Sequence, residues 1–288
     1  MKEWRFLLWV LLLVYLVARL LQLFPGSVPS ILIVGLHVVP SALFALIHGA
    51  RVYGSRGILV FAGLCLGVGA IFESLSLRIG FPFGHYEFTE LMGPKVFDLP
   101  VLLALAYLGM GYLSWVLGLL ILRYQNAPLS GAKLVVLPVV ASLVMTAWDF
   151  SMEPVWADID RAWVWRDGGP FYGVPISNFF GWFLTVYVFY QLFAFYLRDQ
   201  PVFSPDKADW RLAILAYGLS AVGNLLVTVP PSPSAVFADA SGKSWPISDI
   251  LWACRLISIF LMLPFSLVAF GRLSNNAGRS PMPDSAER

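Results

Sequence analysis

The sequence predicts an all-α fold, a polytopic transmembrane bundle of about eight helices. Of its 288 residues, 59% are hydrophobic and only 12% are charged. A soluble domain usually carries about 25% charged residues. Apolar runs of the roughly 20 residues needed to cross a bilayer recur along most of the chain. These observations indicate an integral membrane protein rather than a soluble protein with an anchor.

Eight apolar segments are predicted to be spans within one domain, residues 1–273. The first could pass for a signal peptide, but it is long and shows no small-residue cleavage site, so we interpret it as a span. Residues 274–288 are polar and are predicted to form a disordered tail. The spans are predicted at about 5–23, 30–49, 57–78, 99–122, 132–153, 175–197, 210–229 and 250–270.

The positive charges predict the orientation of the bundle in the cell membrane. An even number of spans places both termini on one side. The 19 Lys and Arg residues then divide about twelve to seven in favour of the side that holds the termini. Cytoplasmic loops carry the excess of positive charge. We therefore expect both termini to be cytoplasmic and the loops 80–98 and 154–174 to lie on the other side.

Three carboxylates stand inside or at the end of apolar spans. Glu73 lies in the third span, and Asp149 and Glu153 lie four residues apart in the fifth, on one helix face. Pro154 predicts that the fifth helix ends at Glu153. Ionisable residues inside a membrane are costly and by default indicate function. The candidate catalytic residues are therefore Asp149, Glu73 and Glu153.

The loops that follow these carboxylates are rich in aromatic residues, Gly and Pro. A carboxyl group in an apolar pocket tends to keep its proton and can then act as a general acid. Aromatic faces attract cations. This combination suits protonation of an alkene, although an interhelical hydrogen-bond network with an interfacial aromatic belt is the structural alternative. The predicted substrate-binding residues are His85, Tyr86, Trp148, Trp163, Trp165, Tyr172, Asn178 and Trp182.

Several classes of function are disfavoured. The net charge of +2 predicts no nucleic-acid partner. Three histidines cannot supply the clusters that membrane di-iron enzymes use, and both cysteines lie in apolar segments. The chain shows no dinucleotide or phosphate loop. We therefore expect no metal and no cofactor, and chemistry that uses only water or a proton.

Four motifs carry a resemblance to a known family. Residues 83–88 (FGHYEF), 148–154 (WDFSMEP), 163–165 (WVW) and 172–182 (YGVPISNFFGW) resemble the carotenoid hydratases of the CruF type, including bisanhydrobacterioruberin hydratase. The resemblance covers most of spans 3 to 6. It implies hydration of the terminal C-1,C-2 double bond of an acyclic carotenoid end group.

Residues and resemblance together predict a mechanism and its partners. Asp149 or Glu73 would protonate C-2, and aromatic faces would stabilise the charge at C-1. A water positioned by Glu153, by Asn178 or by the remaining carboxylate would attack C-1. The expected partners are a carotenoid, water and membrane lipids, with association with other carotenoid biosynthesis enzymes as a further expectation. The alternatives are a proton-coupled transporter and a non-catalytic lipid-binding or assembly protein.

Overall fold

The computed structural model describes residues 3–24, 26–201, 205–227 and 235–274, and within them the chain is an all-α bundle. Six of the described helices are long and apolar enough to cross a membrane. The predicted fold class is therefore confirmed. The helices are α1 (Glu3–Leu21), α2 (Ser30–Ile79), α3 (Val101–Leu122), α4 (Lys133–Pro154), α5 (Ile176–Arg198), α6 (Lys207–Leu225), α7 (Ile247–Ile257) and α8 (Leu263–Ser274).

Helix α2 is two antiparallel helices joined at Gly54. Fifty residues of straight helix would be about 75 Å long, far more than the roughly 30 Å of a bilayer core. Gly54 has a φ of 70° and a ψ of 166°, which interrupts the helix. A Cβ atom on Gly49 would lie 2.3 Å from the Ile58 side chain, so the chain folds back on itself. The two predicted spans at 30–49 and 57–78 correspond to these halves.

Helix α4 does not end where Pro154 predicts. Pro154 keeps helical angles, and the chain then widens into a π turn, Val155–Ile159. Proline removes one backbone donor and clashes with the preceding turn of a regular α-helix. The wider turn follows the proline, and in it the Asp160 N–H donates to the Val155 carbonyl at 2.9 Å. The prediction that the loop begins at residue 154 is therefore wrong.

Helix α6 is less apolar than its neighbours and is not among the six candidate spans. It nevertheless forms a helix close to the predicted seventh span, whose last residues, 228–229, lie outside the described part of the chain. Helices α7 and α8 are continuous through a π turn, Ser258–Met262, and together form the last span.

Three short antiparallel strand pairs cover one end of the bundle. Strand β1 (Tyr86–Phe88) pairs with β4 (Trp163–Trp165), which ties the two predicted loops together. Strands β2 (Lys95–Val96) and β3 (Leu99–Pro100) form one hairpin, and β5 (Val236–Ala238) and β6 (Ser244–Pro246) form another. We call residues 80–100, 160–175 and 235–246 the loop cap.

Both ends of the described chain lie opposite the loop cap. Arg5 near the start of α1 forms an ion pair of 2.7 Å with Asp209 at the start of α6. The Arg211 guanidinium lies 5.9 Å from the ring centre of Phe270, near the end of α8. That this end faces the cytoplasm stays a prediction. The predicted disordered tail lies outside the described residues from 275 onward.

Candidate active site

A small cavity lies beneath the loop cap, where α2, α4 and α5 meet the paired strands β1 and β4. The space between its atoms is about 290 Å³, part of it open to solvent, and the interior, of about 20 Å³, has room for about one water molecule. Two carboxylates and an amide provide the ionisable and polar part of its wall, and aromatic rings provide most of the rest. Its lining residues are Glu73, Phe83, Tyr86, Phe88, Leu103, Glu153, Trp163, Trp165, Asn178 and Trp182.

Glu73 is held on both of its oxygens by tyrosine hydroxyls. The Tyr107 hydroxyl, on α3, donates to Oε1 at 2.7 Å, and the Tyr86 hydroxyl, on β1, donates to Oε2. Glu73 is almost completely buried. Because a buried carboxylate needs hydrogen-bond partners to offset the loss of water, these two phenols fix the position of its side chain.

Glu153 is held by two indole groups. Trp163 Nε1 and Trp165 Nε1 both donate to its Oε1, at 2.7 and 2.9 Å. Alternate residues of a strand face the same side. Both Trp side chains of β4 therefore point inward, while Val164 between them is exposed. The two tryptophans of the sequence WVW thus donate two hydrogen bonds to one carboxylate.

Asp149 lies behind the wall of the cavity rather than in it. It is completely buried, and Asn178 Nδ2 donates to its Oδ2 at 3.1 Å. Its Oδ1 has no hydrogen-bond partner among the described residues. Asn178 itself lines the cavity. Asp149 therefore contacts the cavity wall through its hydrogen bond to Asn178.

Two clusters of aromatic rings lie at the cavity. Trp182 lies parallel to Tyr107, with ring centres 4.5 Å apart, and Trp148 meets Trp182 edge-on at 6.1 Å. On the other side Tyr86 packs against Trp165 at 5.0 Å. Such π faces attract a positive charge that forms between them. Those rings that line the cavity can therefore stabilise a cation that forms beside them.

Tyr86 remains a neutral phenol. Its burial, together with the neighbouring Glu73 carboxylate, raises the pKa of the Tyr86 hydroxyl well above its usual value. A neutral hydroxyl can both donate and accept a hydrogen bond. Tyr86 can therefore bond to Glu73 whether or not that carboxyl carries a proton.

Comparison with known protein families places the chain in one of them. Residues 27–232 match the model of a family described as carotenoid biosynthesis protein. The chain belongs to the carotenoid biosynthesis protein family. The matched region includes every residue that lines the cavity. No curated protein and no solved structure matches this chain.

Three predicted binding residues of this carotenoid biosynthesis protein do not line the cavity: Trp148, which packs against Trp182, and the more distant His85 and Tyr172. His85 is exposed, and its Nδ1 is 3.1 Å from Asp167 Oδ2. It precedes Tyr86, and neighbouring residues of a strand face opposite sides. Tyr172 packs against Trp245 of β6, with ring centres 5.2 Å apart. Both residues belong to the loop cap and do not line the cavity.

Three lining residues, Phe83, Phe88 and Leu103, were not among the predicted site residues, and neither was Tyr107, which bonds to Glu73 from outside the cavity. Phe83 and Phe88 flank the predicted Tyr86 in the same motif, so their aromatic character was the available signal. Leu103 and Tyr107 lie four residues apart on one face of α3. Helix α3 is apolar and mostly buried on all sides, so its sequence does not reveal this face.

Ligand sets for a metal ion do not occur in the described ranges. No group of three or more His, Cys, Asp or Glu side chains there could hold a metal ion. Cys65 and Cys254 are both buried and unpaired.

Proposed function

We propose that this protein is a cofactor-independent carotenoid hydratase that adds water to the terminal C-1,C-2 double bond of an acyclic carotenoid end group. The family supports a role in carotenoid biosynthesis. The observation that carries the reaction type is the cavity, which combines two differently held carboxylates with aromatic faces. Acid, base and cation-stabilising surface are the parts that alkene hydration needs.

The hydrogen-bond donors distinguish the roles of the two carboxylates. Indole N–H groups can only donate, so Trp163 and Trp165 favour the ionised form of Glu153. Phenol hydroxyls can donate or accept, so the two tyrosines tolerate Glu73 in either form. We therefore assign Glu73 as the proton donor and Glu153 as the base that orients water.

The reaction then proceeds in two steps. Glu73 transfers its proton to C-2, and the π electrons of the double bond form the new C–H bond. The positive charge on tertiary C-1 lies against the aromatic wall that contains Trp165 and Trp182. A water oxygen attacks C-1, and Glu153 accepts the proton that the water releases. The product is a tertiary alcohol, and return of that proton from Glu153 to Glu73 restores the enzyme.

Asp149 has a supporting role in this scheme. Its hydrogen bond fixes the Asn178 amide in the cavity wall, where the amide can contact the attacking water. Its completely buried position and free Oδ1 make it the rival proton donor. As a donor, however, it would have to act across Asn178.

Labelled water tests the proposal. Membranes that contain the protein, supplied with lycopene, should form a more polar carotenoid without oxygen, NAD(P)H or iron. In water labelled with heavy oxygen the new hydroxyl should carry the label. Hydroxyl oxygen derived from O₂ would contradict hydration. A proton-coupled transporter would leave the carotenoid chemically unchanged.

A further inference from the structure

We infer that an apolar groove on the lateral surface of the bundle binds the polyene chain of the substrate while its end group occupies the cavity. This inference rests on the proposed function and extends it to a second binding site. We call the surface the lateral groove. It runs between the second half of α2 and the start of α3, with a volume of about 600 Å³.

The lateral groove is shaped by small residues between larger ones. Ala70, Ser74 and Ala104 leave space between the two helices, whereas Ile71 and Val101 project beside them. Its lining residues are Leu66, Ala70, Ile71, Ser74, Leu75, Arg78, Val96, Phe97, Leu99, Pro100, Val101 and Ala104. Arg78 is the one charged residue in that lining. An elongated hydrocarbon matches such a surface.

The lateral groove and the cavity share a wall. On α2, Glu73 lines the cavity and the next residue, Ser74, lines the groove. On α3, Leu103 lines the cavity and Ala104 lines the groove. The two spaces are therefore separated by no more than the thickness of this helix pair.

A third space adjoins both of them at the loop-cap end of α2. This polar cavity, of about 310 Å³, shares Ser74, Arg78 and Phe97 with the lateral groove. It also shares Tyr86 and Phe88 with the carboxylate cavity. The three spaces are thus continuous in their lining, from the lipid-facing surface to Glu73.

The sizes of the spaces argue for a polyene as the occupant. The carboxylate cavity, of about 20 Å³, has room for about one water molecule, so a long carotenoid can place there at most its end group, by displacing that water and moving lining side chains. The third space is lined by the charged residues Glu87, Lys95, Asp98 and Arg166 but also by Leu77, Phe88 and Phe97, and the chain of the carotenoid would pass along these apolar residues. The lateral groove is the adjoining apolar surface with room for the remainder.

Phe97 at the rim of the lateral groove supports this assignment. It is 90% exposed and has a φ of 50° at the turn between β2 and β3. A bulky residue at positive φ is a rare and strained choice, and two-residue hairpin turns prefer Asn or Gly. An aromatic ring at this strained backbone position fits contact with an apolar ligand.

Filling the lateral groove tests the inference. Ala70→Phe and Ala104→Phe should each raise KM for a full-length acyclic carotenoid at least about tenfold, with kcat unchanged, because they obstruct binding away from the carboxylates. A short acyclic terpenoid with the same end group should keep its KM. Leu59→Phe is the matched control, since Leu59 is exposed on α2 seven residues before Leu66 and does not line the groove.

Binding without turnover separates this inference from the proposed function. In the Glu73→Gln background, protein purified from a lycopene-producing host should retain pigment, and Ala70→Phe should remove at least about nine-tenths of it. An unchanged KM and unchanged pigment in both groove variants, or phospholipid alone in the purified protein, would overturn the inference. Absence of hydration by the unmodified protein would overturn the proposed function, while the pigment measurement would still decide the groove.

Discussion

At the scale of residues, the two carboxylates of the cavity differ in the donors that surround them. Glu73 bonds to Tyr86 and Tyr107, whereas Glu153 bonds to Trp163 and Trp165. A proton on Glu73 can be accommodated by rotation of a phenol O–H. A proton on Glu153 Oε1 would face two N–H groups that cannot rotate away. In the proposed reaction this difference suits Glu73 to donate a proton and Glu153 to accept one.

Glu73→Gln and Glu153→Gln should each lower the rate of hydration by at least about 100-fold, the usual scale of acid–base catalysis. Each amide keeps the shape of the side chain but cannot perform the proton transfer. The measurement is hydroxylated carotenoid formed per unit of folded protein. Glu90→Gln is the matched control, because this loop-cap carboxylate is completely exposed and should retain full activity. Near-normal turnover in both site variants would make the carboxylates structural.

Asp149→Asn should lower the rate less than Glu73→Gln does. The asparagine can still accept the hydrogen bond from Asn178, and Asp149 does not line the cavity. The variant should instead lose about 1–3 kcal/mol of folding stability, because it buries an amide N–H₂ group without hydrogen-bond partners. Rates and melting temperatures of both variants separate the two effects. A larger rate loss in Asp149→Asn, at equal stability, would identify Asp149 as the donor.

The sequence identified the carboxylates but not their orientation. Asp149 and Glu153 share a helix face in the sequence pattern, yet only Glu153 lines the cavity. The rotation of a helix about its axis is set by packing against its neighbours, and helices of this kind are apolar on every side. No periodicity therefore indicates which polar residue faces inward.

At the scale of elements, the reversal at Gly54 depends on a backbone conformation that other residues avoid. Gly54→Ala should lower folding stability by about 1–3 kcal/mol, because φ and ψ at this position lie in a region that is almost restricted to glycine. The measurement is the melting temperature of the purified protein in detergent.

Gly63→Ala provides the comparison for Gly54→Ala. Gly63 is helical and exposed on the same helix, and a Cβ atom there would contact nothing within 4 Å. Alanine favours helix over glycine, so this variant should be neutral or slightly more stable. Equal melting temperatures for the two variants would show that Gly54 is not needed for the reversal.

The β5–β6 hairpin is anchored by one carboxylate. Asp239 accepts bonds from the backbone N–H groups of Ser241 and Lys243, from the Ser241 hydroxyl, and from Trp245 Nε1. Burial alone would raise the pKa of Asp239, but these hydrogen bonds outweigh it and lower the pKa below its usual value. The hairpin therefore depends on an ionised Asp239.

Acid should loosen this hairpin. A carboxyl whose pKa is lowered by folding stabilises the folded form above its unfolded pKa, and that stability is lost as the pH falls through the folded value. Backbone hydrogen exchange of residues 236–246 should therefore accelerate below about pH 4, after correction for the intrinsic rate. Asp239→Asn should show the faster exchange already at neutral pH. Exchange that is independent of pH in the unmodified hairpin would contradict this role.

The elements themselves were largely predictable, and the exceptions have physical causes. Most helix boundaries follow the ends of apolar runs, because each run must match the bilayer thickness. The extension of α4 beyond Pro154 was not predictable, since it depends on a π turn stabilised by tertiary packing. The strands of the loop cap are two or three residues long, too short for a period-2 pattern to be recognised.

At the scale of the whole molecule, the orientation in the membrane can be measured directly. The charge bias predicts that a reporter fused after Arg288 is cytoplasmic and that a tag at Asp167, an exposed residue of the loop cap, is not. Accessibility to a membrane-impermeant reagent in intact cells gives both answers. The opposite result would place the loop cap and its polar cavity on the cytoplasmic side.

The lateral groove opens sideways, toward the space that lipid tails occupy around the bundle. A substrate taken up there diffuses in two dimensions and never dissolves in water. The concentration that matters is then its mole fraction among the lipids, and the volume of the surrounding buffer is irrelevant. Adding empty lipid to a fixed amount of enzyme and carotenoid should slow the reaction, whereas diluting the same vesicles with buffer should not.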